Sequence, residues 1–139
     1  METFKLNKIL LIESHFKRET EINFQNKTTK NNINIDIKNT VKEKDINVIL
    51  TLDFKSYDDV KTNIEAKIIM AGLFEACDSP PISTESFVEV NAPAIIFPFV
   101  REHLSTVSLK AGIKPILLPP VNFFELAKSK KSIQVESKD

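Results

Sequence analysis

The sequence predicts an α+β fold, in which a four-stranded antiparallel sheet is followed by two to three helices. Apolar and polar residues alternate in the first half of the chain, as in half-buried strands. The later connections between these segments are short, which favours antiparallel neighbours. After residue 78, prolines and helical spacing replace the alternation. The length of 139 residues suits one domain, predicted over residues 1–128, with a charged and disordered tail over residues 129–139.

The first predicted strand covers residues 4–12 and extends toward His15 and Phe16. A polar, Asn-rich loop follows. The second strand has period-two alternation, with Ile33, Ile35 and Ile37 on one face. Two more strands are predicted over residues 46–57 and 62–74.

Three helical segments are predicted after the sheet. Ser83 or Thr84 caps a short helix in the stretch STESFVEV. Asn91 is the expected N-cap of a longer helix, which has Pro93 in its first turn and ends at Gly112. A proline-rich connector then leads to a final amphipathic helix that begins at FFELAK.

Pro98 interrupts the longer helix in an unexpected place. It lies between Phe97 and Phe99. Arg101 and Glu102 follow soon after. A proline inside a helix removes one backbone hydrogen bond, so we expect Pro98 to bend or delay this helix.

Composition excludes several classes of function. The 19 basic residues balance the 19 acidic ones, which gives no electrostatic attraction to nucleic acid or to an anionic membrane. The two glycines are too few for a phosphate-binding loop. The longest apolar run is too short to span a bilayer. A single cysteine suits a reducing compartment, and we expect a cytoplasmic protein.

The chemically reactive residues form no catalytic pattern. His15 and His103 lack further ligands at metal-binding spacing. Cys77 has no evident His–Asn partner set. Asp58 and Asp59 lie in a predicted turn, where aspartate is favoured for its local hydrogen bonds. We therefore expect no enzyme activity, no metal and no cofactor.

Apolar surface is what remains. The chain has ten phenylalanines but few helices to cover a sheet. Ile49 and Ile69 lie on the face opposite the main apolar rows, so both faces are partly apolar. A partner subunit or a bound polypeptide segment would cover such surface.

Three motifs in order resemble the SecB family of protein-export chaperones. They are AGLF at residues 71–74, FPFVRE at 97–102 and PVNF at 120–123. The resemblance extends over residues 4–127. It implies a homotetramer, built as a dimer of dimers, that needs no ATP and holds unfolded precursor polypeptides in apolar grooves until export. The long helix is the one through which members of that family join their dimers.

The resemblance also implies roles for individual residues. The client-binding candidates are Phe16, Ile33, Ile35, Ile37, Phe99, Phe123, Phe124 and Leu126. The candidates for the oligomer interface are Arg101, Glu102, Leu104, Val107 and Leu109. Glu13 retains an acidic position at which family members dock the export ATPase SecA.

Two departures from the family concern this dock. Lys17 and Lys67 stand where the family carries acidic residues. Reversing a charge turns attraction into repulsion, which argues against SecA as a partner. Two alternatives therefore remain open: a dedicated SecB-like chaperone of a toxin–antitoxin system, or an oligomeric adaptor whose apolar faces are consumed by its own assembly.

Overall fold

The computed structural model describes residues 4–77, 83–129 and 133–138. The strands are β1 (Phe4–Arg18), β2 (Lys30–Lys42), β3 (Asp45–Tyr57), β4 (Thr62–Ala76) and β5 (Ile133–Lys138). The helices are α1 (Thr84–Ser86), a π-helical turn (Phe87–Asn91), α2 (Ala92–Lys110) and α3 (Phe123–Ser129).

One antiparallel sheet contains all the strands of the described residues, in the order β1-β4-β3-β2-β5. The four predicted strands and the helices after them are confirmed. β1 includes the expected extension through His15 and Phe16 and ends at Arg18, with two register irregularities along its pairing with β4. β2 begins at Lys30, three residues before the alternating isoleucines.

The fifth strand corrects the prediction of a disordered tail. β5 lies within residues 129–139 and pairs antiparallel with residues 30–35 of β2. The charge of this segment concealed the alternation of Ile133 and Val135 with polar neighbours. The pairing also depends on an unpaired strand edge, which presents free backbone N–H and C=O groups.

In the described part of the chain, helices cover one face of the sheet. On β3 this face carries five buried apolar side chains: Ile46, Val48, Leu50, Leu52 and Phe54. Asp53 and Lys55 point the other way. On β2 the three isoleucines lie opposite covered residues of β3, so they belong to the covered face as well.

Helix α2 packs closely on β4 at Gly72. A Cβ at this position would lie 2.7 Å from Cε2 of Phe74 and 2.9 Å from Cδ1 of Ile96. Both distances are shorter than carbon–carbon contacts allow. A larger residue at the glycine of the AGLF motif would therefore force the side chains of Phe74 and Ile96 to shift.

The predicted start of the helical segment is confirmed. Ser83 caps α1, because its Oγ accepts a hydrogen bond from the backbone N–H of Ser86 at 3.1 Å. The prediction of Asn91 as an N-cap is wrong: its backbone is already helical and its side chain makes no cap hydrogen bond. The preceding π-helical turn supplies the carbonyls that a cap would otherwise replace, since the N–H of Ala92 bonds to the carbonyl of Phe87.

Pro98 does not delay the helix, because α2 runs from Ala92 to Lys110 through the proline. The proline costs one backbone hydrogen bond. Its neighbours Ile96, Phe97 and Val100 are each at least 96% buried, and their packing offsets that loss.

Gly112 ends α2 as predicted. Its φ is +73°, the left-handed region that favours glycine. The N–H of Ile113 bonds to the carbonyl of Ser108, and that of Gly112 bonds to the carbonyl of Leu109. These are the two hydrogen bonds of a Schellman motif.

The turn between β3 and β4 is built on two aspartates. Oδ1 of Asp58 accepts hydrogen bonds from the backbone N–H groups of Val60 and Lys61, and Oδ2 accepts one from Asn63. These bonds hold the pKa of Asp58 below its ordinary value of 3.8, with the Asn63 side chain as the largest cause. The predicted structural role of this turn is confirmed.

Asp59 fastens the loop between β1 and β2 to this turn. Its Oδ1 accepts hydrogen bonds from the side chains of Thr28 and Asn26 at 2.8 and 3.2 Å. The pKa of Asp59 is lowered as well, chiefly by the hydroxyl of Thr28.

The contact at Gly72 gives a first prediction. Gly72→Ala lowers the free energy of unfolding by about 1–3 kcal/mol, because the new methyl group overpacks the helix–sheet contact. Ile96→Ala removes two of the three nearest atoms, so the double variant is expected to lose less than the sum of the single losses. Urea denaturation of the four proteins measures this coupling, and strict additivity would contradict the contact.

The aspartate turn gives a second prediction. A lowered folded pKa makes the contribution of Asp58 fully present above pH 3.8, and the contribution is lost as the pH falls through the folded pKa. Asp58→Asn is therefore expected to lower the urea midpoint at pH 7 and to flatten its decline between about pH 5 and 2. Parallel pH profiles for the variant and the parent protein would refute this role.

Candidate polypeptide-binding and assembly surfaces

Four of the predicted client-binding residues belong to the protomer's own core. Ile33, Ile35, Phe123 and Leu126 are between 1% and 6% exposed. Ile33 and Ile35 lie in the same core cluster as Leu118, Phe123 and Leu126, which the alternation of β2 does not reveal. As the chain is folded here, these side chains line no open groove, and Ile35→Asp would place a charge in the core and unfold the protein.

Ring contacts place α3 beside the start of α2. The rings of Phe97 and Phe123 meet edge to face with centroids 5.7 Å apart. The guanidinium of Arg101 lies 5.2 Å from the centroid of Phe97. Arg101, predicted at an oligomer interface, thus stacks on a buried ring of its own protomer.

Asn122 explains the PVNF motif locally. Its Oδ1 accepts a hydrogen bond from the N–H of Glu125 at 3.1 Å, and its carbonyl accepts one from the N–H of Leu126. This is the geometry of a helix N-cap. The motif therefore fixes where α3 begins.

The connector between α2 and α3 is held by a buried hydroxyl. Oγ of Ser108 donates a hydrogen bond to the carbonyl of Leu104 at 2.7 Å and accepts one from the N–H of Ile116 at 3.3 Å. Leu118 is buried, whereas Leu117 beside it is 78% exposed. The connector thus presents one large apolar side chain to solvent.

Phe124 is the exposed aromatic residue of α3. It is 57% exposed, while its neighbour Phe123 is buried. The ammonium of Lys128 lies 5.7 Å from the ring centroid, one turn further along the helix. We use the name α3 surface for two exposed residues, Phe124 of α3 and Leu117 of the connector that leads to α3.

Phe99 lies on the other side of α2, away from α3. Two residues correspond to about 200° of helix rotation, so Phe97 and Phe99 point in nearly opposite directions. Phe97 is buried and Phe99 is 46% exposed. The structure therefore does not bring Phe99 together with Phe123 and Phe124.

Phe16 and Ile37 are half-buried and pack against the core. Pairing register places Phe16 opposite Ala66, Ala66 opposite Phe54, and Phe54 opposite Ile33. Phe16 thus shares a cross-strand row with Ile33, but three strand spacings, about 14 Å, separate them.

A stripe that is apolar at both ends and polar in its middle follows the exposed side of α2, and we call it the α2 stripe. Its members recur at intervals of three and four residues, as on one face of a helix: Ile95, Phe99, Glu102, Thr106 and Leu109. In its middle, Oγ1 of Thr106 donates a hydrogen bond to Oε1 of Glu102 at 2.9 Å. Of the other predicted interface residues, Leu104 is fully buried and Val107 half-buried, because both face the sheet.

β1 forms the edge of the sheet nearest this stripe. Its apolar side chains Leu6, Leu11 and Ile12 are 40%, 48% and 57% exposed. Oγ of Ser14 lies 2.8 Å from Nε2 of His103, which stands one helical turn after Phe99. The β1 edge and the α2 stripe therefore lie on one side of the protomer, and we call them the β1–α2 surface.

The open face of the sheet carries both signs of charge. Glu13 is exposed there, opposite Ile69 of β4. Lys17 and Lys55 flank Glu65, and Nζ of Lys55 lies 3.7 Å from Oε1 of Glu65. His15 and Asp53 flank Lys67 in the same way. The basic residues at the predicted dock therefore stand beside acidic ones.

Neither metal sites nor membrane spans are found in the described part of the chain. Within residues 4–77 and 83–129, no three His, Cys, Asp or Glu side chains are grouped to hold a metal ion. In the same residues, no helix is long and apolar enough to cross a membrane.

Sequence reasoning missed Ile95, Thr106 and Leu117. The three- and four-residue spacing along α2 is visible in the sequence and could have identified the first two. Leu117 has no such signal, because its exposure depends on how the connector packs.

Known proteins resemble this chain in sequence and in fold. Curated SecB protein-export proteins are 34% identical in Methylobacillus flagellatus, over 65% of this chain, and 33% identical in Nitrosomonas europaea, over 80% of this chain. The matches cover 57% and 65% of those relatives, so the chain spans about three-fifths of their length.

A solved structure shares the fold. It is a SecB-like chaperone of Mycobacterium tuberculosis in complex with a ChAD peptide from an antitoxin. The TM-score is 0.72 at 10% identity, over 86% of this chain and 91% of that one. The family profile described as "Preprotein translocase subunit SecB" matches residues 3–134. The chain therefore belongs to the SecB family.

Proposed function

We propose that this protein is an ATP-independent holdase chaperone, which binds unfolded precursor polypeptides and keeps them unfolded for export. The observation that carries the proposal is the exposure of two large apolar side chains, Phe124 and Leu117, on a protomer that has a well-buried core. Membership in the SecB family and the relatives named for protein export support it.

Burial of apolar area explains how such a surface binds many sequences. Covering 100 Å² of apolar surface contributes about 2.5 kcal/mol and makes no demand on the order of residues. An unfolded polypeptide exposes the same kind of surface. Several weak contacts of this kind keep it from aggregating without energy from ATP.

Assembly into a homo-oligomer, built as a dimer of dimers, is part of the proposal. The β1 edge is fifteen residues long, and within the described residues it pairs with β4 alone. An edge of this length beside exposed leucines and the α2 stripe favours association. The β1–α2 surface is separate from the α3 surface, so assembly leaves client binding free.

A second candidate function is that of a chaperone with one dedicated partner in place of many clients. Lys17 and Lys67 on the open face repel a basic docking surface, so the proposed activity does not depend on SecA binding at Glu13. The fold neighbour from Mycobacterium tuberculosis holds an antitoxin peptide. A chaperone dedicated to one partner of a toxin–antitoxin system would need the same apolar surface without the acidic dock. In either case we place the protein in the cytoplasm.

The α3 surface gives a third prediction. Phe124→Ser combined with Leu117→Ser is expected to weaken binding of a reduced and alkylated, permanently unfolded protein about tenfold or more, because two apolar side chains are lost. Fluorescence anisotropy measures the affinity. Light scattering of a heat-denatured reporter, without ATP, measures the suppression of aggregation.

Val60→Ser is the matched control, since Val60 is 78% exposed but lies in the turn between β3 and β4. It should bind like the parent protein. Equal binding by the double variant would overturn the assignment of the α3 surface. Absence of binding by the parent protein would favour the oligomeric adaptor.

The β1–α2 surface gives a fourth prediction. Phe99→Asp combined with Leu109→Asp is expected to shift the protein to a smaller species in sedimentation velocity, because charges replace apolar contacts at the interface. Circular dichroism should be unchanged, since Phe99 is 46% and Leu109 60% exposed. The Phe124→Ser variant should keep the parent's size. An unchanged sedimentation coefficient would refute this interface.

A further inference from the structure

β2 has a second neighbour over only part of its length. β5 pairs with residues 30–35, from Lys30 opposite Lys138 to Ile35 opposite Ile133. Residues 36–42 of β2 pair, among the described strands, with β3 alone. The beginning of β2 thus lies between two strands, and its later part has β3 as its described strand neighbour.

Pairing with residues 30–35 of β2 requires an extended backbone and depends little on the sequence of the added strand. Strand pairing joins main-chain N–H and C=O groups, which every residue but proline provides in full. The register places Val135 opposite Ile33 and Ile133 opposite Ile35. Ile33 and Ile35 belong to the buried core. Any extended segment with apolar residues at alternate positions fits the same register.

β5 is the least secured strand of the sheet. Its described pairing is with β2 alone, whereas β2, β3 and β4 each lie between two neighbours. It is six residues long, compared with thirteen for β2. A short outermost strand opens at lower cost than the strands inside a sheet.

We propose that residues 30–35 of β2 form a strand-addition site for an unfolded client, and that β5 occupies this site in the absence of the client. The inference rests on the proposed function and names where the client backbone binds. β5 follows α3, which carries Phe124, after three residues. A client displaces β5 when it gains contacts at the α3 surface in addition to those of the strand.

The tether gives β5 a lasting advantage over weak competitors. A segment joined by a short linker competes at a high effective concentration, of order mM. Short or polar segments are therefore excluded, and the edge is protected from pairing with other chains. A client segment therefore displaces β5 only when its affinity is raised by substantial apolar contacts.

The test uses full-length variants of β5. Gln134→Pro combined with Val135→Pro removes both N–H groups, and one of two neighbouring N–H groups in a strand points toward the paired strand. The control combines Gln134→Thr with Val135→Thr, which keeps both N–H groups and favours strands. The probe is the same reduced and alkylated unfolded protein.

If β5 is docked about nine-tenths of the time, its release tightens binding of the probe about tenfold. The proline variant should show this gain, and the threonine variant should bind like the parent. In the parent protein, hydrogen exchange should show that the probe removes protection from residues 133–138 and leaves residues 30–35 protected.

Three results would overturn the inference. Equal affinity of all variants, with β5 still protected while the probe is bound, would do so and would leave the holdase function intact. A larger oligomer of the proline variant without a gain in probe affinity would assign the edge to a second copy. Failure of every variant, the control included, to bind the probe would overturn the proposed function together with the inference.

Discussion

The close contact between α2 and β4 at Gly72 is the constraint on which the rest of the molecule depends. Because Gly72 has no Cβ, Ile96 lies against the strand and Val100 and Leu104 become fully buried behind it. The helix then covers one face of the sheet and turns its opposite side, with Phe99 and Leu109, to solvent. The packing of α2 on the sheet therefore separates the buried side of the helix from the α2 stripe.

The strands β1 and β2 lie at opposite sides of the sheet and differ in what pairs with them. β1 is an open edge with exposed apolar side chains, linked to α2 through Ser14 and His103. β2 is covered over residues 30–35 by β5 and lies on the other side of β3 and β4. This separation is compatible with the proposed assembly through β1 and the proposed binding of polypeptide at β2.

A few polar contacts hold the long connector that joins these regions. Nη1 of Arg18 donates a hydrogen bond to the carbonyl of Ala111 at 2.7 Å, where α2 ends and its carbonyls lack helical partners. Ser108 fixes the start of the connector, and Asn122 fixes its end by capping α3. The cap at Asn122 is visible in the local sequence. The contacts of Arg18 and Ser108 are not, because their partners lie elsewhere in the chain.

The sequence by itself determined the elements whose signals are local. Alternation predicted four strands, the left-handed glycine predicted the end of α2, and paired aspartates predicted the turn. Three motifs were enough to identify the SecB family. The tertiary structure alone decided which apolar residues are core and which are surface. Ile35 and Phe124 are both large and apolar, but Ile35 is 1% exposed and Phe124 is 57% exposed. It also decided that residues 133–138 form a strand, because a strand needs a partner edge, and the free edge of β2 exists only after β3 and β4 have paired.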